Sequence, residues 1–245
     1  MAVLVTRPSP FGESLVQLLN KNGIKAWHTP LIQFIDGQEL GEFPQRLLYL
    51  NSDDLLFVVS QQAVQYANQA LLKAKINWPI NIQYFAIGQA TAKALHQVTG
   101  CPVYYPKDRE ISEHLLQLPE LQEVNGKNAL ILRGNGGREL LAEQLRLRGV
   151  NVTFCECYQR QIIDYSQAEL FTVWQEQEID TLVITSAEML QRIYELAEEK
   201  NKSWLLNCRL IVVSERIALL ANRLGWNNIK IADNADNMSL LAALK

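Results

Sequence analysis

Ala129-Leu130-Ile131-Leu132 is a short apolar run that ends in Arg133-Gly134-Asn135-Gly136-Gly137 and enters a helical pattern over Gly137–Arg148, closed by Gly149. Continuous apolar strands suit a parallel sheet covered on both faces, and a glycine just past a helix is the expected left-handed cap. The stretch therefore predicts one strand-turn-helix unit. The opening of the chain repeats it 126 positions earlier. Leu4-Val5-Thr6-Arg7 matches Leu130-Ile131-Leu132-Arg133, Glu13 matches Glu139, Leu15 matches Leu141, Leu19 matches Leu145 and Gly23 matches Gly149.

The spacing persists without a gap further along. Asp54 pairs with Asp180, Ser60 with Ser186, Trp78 with Trp204, Gly88 with Ser214 and Leu115 with Leu241. Two unrelated units match locally by pattern alone, but a constant offset implies a duplicated unit. Between these landmarks the alternation continues. Strand-like Ala2–Thr6, Leu55–Val59, Tyr84–Ile87, Thr181–Thr185 and Leu210–Val213 lead into helix-like Pro10–Asn22, Gln61–Lys73, Gln89–Val98, Ala187–Glu198 and Glu215–Leu224. The expected fold class is α/β, with two parallel-sheet, flavodoxin-like domains from a duplicated unit. Lys25–Asp36 and Asn151–Asp164 are strand-like stretches long enough to leave one domain and enter the next, so each domain can mix pieces of both repeats.

The bulk numbers bound the function classes. The chain has 245 residues, 48% hydrophobic and 20% charged, with a net charge of −3, so it lacks the basic footprint of a nucleic-acid binder. No apolar run approaches the roughly 20 residues that span a bilayer, and Arg7 interrupts the first one, so neither an export signal nor a membrane role is expected. Four cysteines, Cys101, Cys155, Cys157 and Cys208, read as reduced thiols of a cytoplasmic protein, with Cys155 and Cys157 on one face of a strand. His28, His96 and His114 are scattered singly, so no metal site is expected. Gly134-Asn135-Gly136-Gly137 lacks both phosphate-loop spacings, and HExxH, GxSxG and CxxC are absent. Lys107-Asp108-Arg109-Glu110 is mixed in sign and reads as a solvated loop.

Ligands of open parallel sheets bind beyond the carboxyl ends of the strands. Here those ends carry Thr6-Arg7-Pro8-Ser9, Ser60-Gln61-Gln62, Gly88-Gln89, Arg133–Gly137, Thr185-Ser186-Ala187 and Ser214-Glu215. Small hydroxyl residues and glycine let backbone N–H groups face a ligand, and helix dipoles favour anions there. Several such bonds, each about 1.5–3 kcal/mol to a charged group, can hold a polycarboxylate without a basic surface. Each serine is equally an ordinary helix cap.

Together these residues resemble the uroporphyrinogen-III synthase family across essentially the whole chain. The resemblance rests on Val5–Pro8, Phe57–Val64, Ala86–Ala92, Leu132–Arg138, Cys157–Arg160 and Val183–Ser186. It implies two domains, 1–35 with 164–245 and 40–158, joined by connector strands over 36–39 and 159–163. It also implies an enzyme, a hydro-lyase of haem biosynthesis. Hydroxymethylbilane, a linear tetrapyrrole with eight carboxylates, is closed to uroporphyrinogen III with loss of water and inversion of ring D through a spirocyclic intermediate. No cofactor is implied. Tyr158 resembles the family's tyrosine near the departing hydroxyl. A phenol, with a reference pKa of about 10, is a neutral donor near pH 7. Substrate contacts carry over to Ser60, Gly88, Thr91 and Ser186, and Gly134 and Ser214 join them at strand ends; Arg7 and Arg133, at equivalent repeat positions, read equally as carboxylate partners or as buttresses of the domain ends. At the last helix start the family has glycine and small hydroxyl residues, where this chain reads Ser214-Glu215-Arg216-Ile217. A monomer with transient contact to the preceding pathway enzyme is the expected assembly. The competing readings are a two-domain anion-binding protein and a nucleotide-sugar transferase.

Overall fold

A computed structural model describes residues 1–137, 139–165 and 167–245, with the side chains of 167 and 168 left aside. Arg138, part of the family-like stretch, lies outside the described residues. The chain divides into two compact units, Met1–Phe34 with Gln161–Lys245, and Ile35–Arg160.

In chain order the elements are β1 (Ala2–Val5), α1 (Phe11–Lys21), β2 (Lys25–His28), β3 (Ile32–Asp36), α2 (Phe43–Leu48), β4 (Leu55–Val58), α3 (Gln61–Ala74), β5 (Gln83–Ala86), α4 (Gln89–Thr99), β6 (Val103–Tyr104) and α5 (Ser112–Leu115). They continue with β7 (Asn128–Gly134), α6 (Leu140–Leu147), β8 (Asn151–Ile162), α7 (Gln167–Glu176), β9 (Thr181–Val183), α8 (Ala187–Leu196), α9 (Glu199–Asn207), β10 (Arg209–Val212), α10 (Glu215–Leu224), β11 (Ile229–Ile231) and α11 (Asn237–Leu244).

The first unit holds a parallel sheet in the order β11-β10-β9-β1-β2. Side chains of a strand alternate between faces. Val3, Val5, Val183 and Ile211 therefore pack with Leu15 and Leu19 of α1 and Leu240 and Leu241 of α11. Leu4, Leu182, Leu210 and Val212 pack on the other face with Leu190 and Ile193 of α8, Ala221 of α10 and Phe171 and Trp174 of α7. Burial on both faces is why β1 reads as an unbroken apolar run, all four residues being buried. The second sheet has the order β3-β8-β7-β4-β5-β6. One of its faces joins Leu55, Phe57, Phe85 and Ile131 to Leu141 and Leu145 of α6.

The duplication is present in the registers. Ala2 pairs with Lys25 and Asn128 with Asn151. Val3 pairs with Thr181 and Leu55 with Ala129; Thr181 pairs with Arg209 and Leu55 with Gln83. Leu210 pairs with Ile229 and Tyr84 with Val103. Each residue of one pair lies 126 positions from its counterpart in the other, although the strand pairs belong to different sheets. The first sheet follows the flavodoxin order 2-1-3-4-5, and the second does so with β7 and β8 in the places of β1 and β2 and with β3 added at the edge beyond β8. Even the strand tie is repeated. The Asp54 carboxylate accepts Asn128 N–H at 2.8 Å, and that of Asp180 accepts Ala2 N–H at 3.1 Å. Gly23 and Gly149, also 126 apart, end α1 and α6 at φ 76° and 78°.

The two long strand-like stretches differ. Asn151–Ile162 is one strand. Lys25–Asp36 is broken between β2 and β3 at Thr29–Leu31, where Pro30 has no N–H to donate. Cys155 and Cys157 share a buried face with sulfurs 3.8 Å apart. Among the described residues, no helix is long and apolar enough to cross a membrane.

Candidate active site at the strand ends

In the second unit the carboxyl ends of β4, β7 and β8 bring three of the sequence-predicted residues together. Ser60 caps α3 from extended backbone, and its Oγ accepts Ala63 N–H at 3.2 Å. The same hydroxyl donates to Tyr158 Oη at 3.1 Å. Tyr158 is buried at 2% exposure near the end of β8, and its ring lies across Gly134. A Cβ on Gly134 would stand 2.6 Å from the tyrosine Cζ, so the glycine is the clearance for the phenol. Tyr66 of α3 covers the ring, with centroids 5.9 Å apart and planes at 30°. Burial, with the charge of Asp36, raises the Tyr66 pKa above the ordinary phenol value, which keeps that neighbour neutral.

Arg133 does not join this cluster. Its guanidinium donates to Glu139 at 2.6 Å and stacks 3.8 Å from the Phe154 ring centroid. It borders a separate cavity of about 190 Å³ with Ile87, Ser112, Ile131, Gly136 and Phe154.

Gly88 caps α4, and Thr91 in its first turn is 6% exposed. Residues 107–110 form the exposed loop expected, with one contact that the sequence did not show. The Glu110 carboxylate lies on this helix start, accepting Gln89 N–H at 2.9 Å, and a Cβ on Gly88 would meet it at 2.3 Å. A helix N-terminus attracts an acidic side chain from the same chain as readily as from a ligand.

The first unit carries Arg7, Ser186 and Ser214. Ser186 and Ser214 cap α8 and α10, accepting Met189 N–H at 3.2 Å and Ile217 N–H at 3.4 Å. Arg7 donates to Asn237 Oδ1 at 2.9 Å at the start of α11, whose cap is Asp236. The Arg7 carbonyl meets His28 Nε2 at 2.7 Å. Sequence reasoning missed Tyr66, Glu110, Glu139 and Asn237 as partners. Tyr66 follows Ser60 by six positions on a strongly patterned helix, which was the available signal; the other three lie on loops or helix starts with no periodicity.

Among the described residues, no group of three or more His, Cys, Asp or Glu side chains could hold a metal ion. Two register-equivalent parallel sheets, with capped helices and a phenol at their strand ends, define a duplicated doubly wound scaffold. A family model described as uroporphyrinogen-III synthase HemD matches residues 13–242. The chain is 55% identical to the uroporphyrinogen-III synthase of Escherichia coli K12 over the full length of both. It is 45% identical to that of Proteus mirabilis over 79% of this chain and 97% of the relative. Solved uroporphyrinogen III synthases share the fold. A variant of that of Thermus thermophilus has a TM-score of 0.61 at 16% identity, covering 100% of this chain and 96% of the other. That of Helicobacter pylori 26695 has a TM-score of 0.60 at 17% identity, covering 98% and 96%. The chain belongs to the uroporphyrinogen-III synthase family and is a cyclising lyase of tetrapyrrole synthesis.

Proposed function

We propose that the chain converts hydroxymethylbilane into uroporphyrinogen III at its strand ends, with Tyr158 as the catalytic donor. The hydroxymethyl C–O bond breaks with loss of water, and the phenol proton hydrogen-bonds the departing oxygen. The substituted carbon of ring D attacks the methylene so freed and forms a spirocycle; that carbon's original bond to the ring C methylene then breaks, and the bridge re-forms at the other ring D carbon, which loses its proton, so that one water leaves overall. Uncatalysed closure gives the uninverted isomer, so the larger task is holding the chain in the inverting geometry. Backbone N–H groups at the starts of α3, α8 and α10 suit carboxylates in that role, and those of α4 do so once a substrate carboxylate displaces Glu110; Ser60 through its backbone, Gly88, Thr91, Gly134, Ser186 and Ser214 are the contacts, with Arg7 and, on leaving Glu139, Arg133 as the cations. Residues 36–39 and 159–163 form the connector between domains 1–35 with 164–245 and 40–158. The enzyme works as a cytoplasmic monomer without a cofactor, taking its labile substrate by transient contact with the enzyme that makes it.

The observation that carries this reading is the Tyr158 ring, wedged between Gly134 and Tyr66 with its oxygen on Ser60. A phenol so confined is a donor of fixed direction, as a dehydration needs. The test is a coupled assay with freshly generated hydroxymethylbilane and chromatography of the oxidised products. Isomer III rising with protein concentration is expected. Isomer I alone, at the protein-free rate, would overturn the assignment.

A further inference from the structure

Among the described residues, three serine caps share one geometry. Ser60, Ser186 and Ser214 start α3, α8 and α10 at φ/ψ of −160/156, −145/155 and −165/153 degrees. Each accepts the N–H three residues on. Ser60 differs in what lies beyond its hydroxyl. It meets Tyr158, whereas the position 126 before Tyr158, which would face Ser186 by the same symmetry, is Ile32.

A serine hydroxyl has one proton and two lone pairs. On Ser60 one lone pair takes Ala63 N–H, and the proton points to Tyr158 Oη. Donation into the phenol oxygen polarises the phenol's own O–H, and hydrogen bonds in series strengthen one another. The series begins at the first turn of α3, where the helix adds its positive end. We infer that Ser60 is a positioning residue for Tyr158: it fixes the phenol oxygen and strengthens it as a proton donor, rather than serving chiefly as a carboxylate ligand. The inference rests on Tyr158 being the catalytic donor. It makes the N-cap of α3 a part of the dehydration step, a role the equivalent caps of the other unit do not have.

The experiment is a double-mutant cycle of Ser60→Gly and Tyr158→Phe in the full chain, read as kcat and KM for isomer III formation. Glycine is chosen because it keeps most of the capping preference while removing the hydroxyl. Ser60→Gly should lower kcat about tenfold, the size of one transition-state hydrogen bond, with KM changed less than about twofold. Ser60→Thr, which keeps acceptor and proton, should restore most of the rate. In the Tyr158→Phe background Ser60→Gly should cost less than about twofold, because the two act as one unit. A full tenfold cost in that background, or a rise in KM at unchanged kcat, would overturn the positioning role alone. Full turnover by Tyr158→Phe would overturn the catalytic assignment of Tyr158 and the inference with it.

Discussion

At the carboxyl end of β1 stands Arg7, and at the equivalent place in the other unit stands Arg133; the two guanidinium groups are engaged differently. Arg7 reaches Asn237 at the start of α11, and its backbone carbonyl is held by His28. Arg133 reaches Glu139, and the residue at the place of His28 is Phe154, on whose ring the guanidinium lies. The next equivalent pair is Pro8 and Gly134, and only a glycine could admit the Tyr158 ring. Strand registers are identical between units up to a shift of β8 past β7 after Arg133, which sets Gly134 opposite Tyr158, while the side chains at the strand ends have diverged. The lesson is that register is set by apolar alternation buried on both faces, which punishes any slip. Strand ends lie outside that constraint, so chemistry accumulates there.

The largest difference between the units is expected at the strand ties. Asp54 is 5% exposed and accepts Asn51 N–H, Asn128 N–H and Asn128 Nδ2; Asp180 is exposed and accepts Ala2 N–H and the Thr181 hydroxyl. Asp54→Ala should cost about 3 kcal/mol in urea unfolding, because it strands buried donors, and Asp180→Ala about 1 kcal/mol. Equal costs would mean that the two units do not differ in how they use the tie. Burial opposes ionisation of Asp54, but the bonds from Asn128 and Asn51 prevail and hold its pKa below the ordinary carboxylate value. A depressed folded value contributes stability that is complete above the unfolded value of about 3.9 and lost as pH falls through the folded value. Asp54→Ala should therefore flatten the acid limb of the stability curve below about pH 4.

Next in size is Tyr158→Phe, expected to lower kcat about 100-fold while product affinity, measured by titration, changes little. Equal losses in both would make the tyrosine a binding group. Gly134→Ala should follow, displacing the ring at a cost of about 2 kcal/mol in stability and about tenfold in kcat, measured together. The smallest effect belongs to the arginines. Arg133→Lys loses the planar stack on Phe154 and should lower stability by about 1 kcal/mol, and Arg7→Lys by less, measured as thermal midpoints. The reverse order would show that the contacts of Arg7, with Asn237 and with the Phe11 ring 5.6 Å away, are the stronger anchor.

Much of this architecture was readable from residues alone. The apolar runs at 2–5, 55–58 and 129–132 and the glycines at 23 and 149 marked strands and helix ends, because buried strands and left-handed caps admit few residue types. The strand-end serines were equally visible as caps. What could not be read was direction: that Ser60 meets Tyr158, and that Arg133 turns away toward Phe154, follow from contacts far apart in sequence. Glu110 shows the same limit. Its surroundings in the sequence, Lys107-Asp108-Arg109, give no sign that its carboxylate would settle on the start of α4.

The shared registers have a consequence for how the chain folds. β1 pairs with β9 through Val3 and Thr181, yet Val3 would fit Leu55 of β4 by the register that Ala129 uses. Closure within each half satisfies the same ladders as closure between halves and spans far less chain, so it is the faster event. Refolding is thus expected to divide between two strand orders, which refolding kinetics followed by isomer III activity would reveal as a slow, inactive fraction. Features that break the symmetry decide it, such as the unbroken run of β8 against the stop at Pro30. The duplication that gives two sheets one register also gives each strand a second partner that fits.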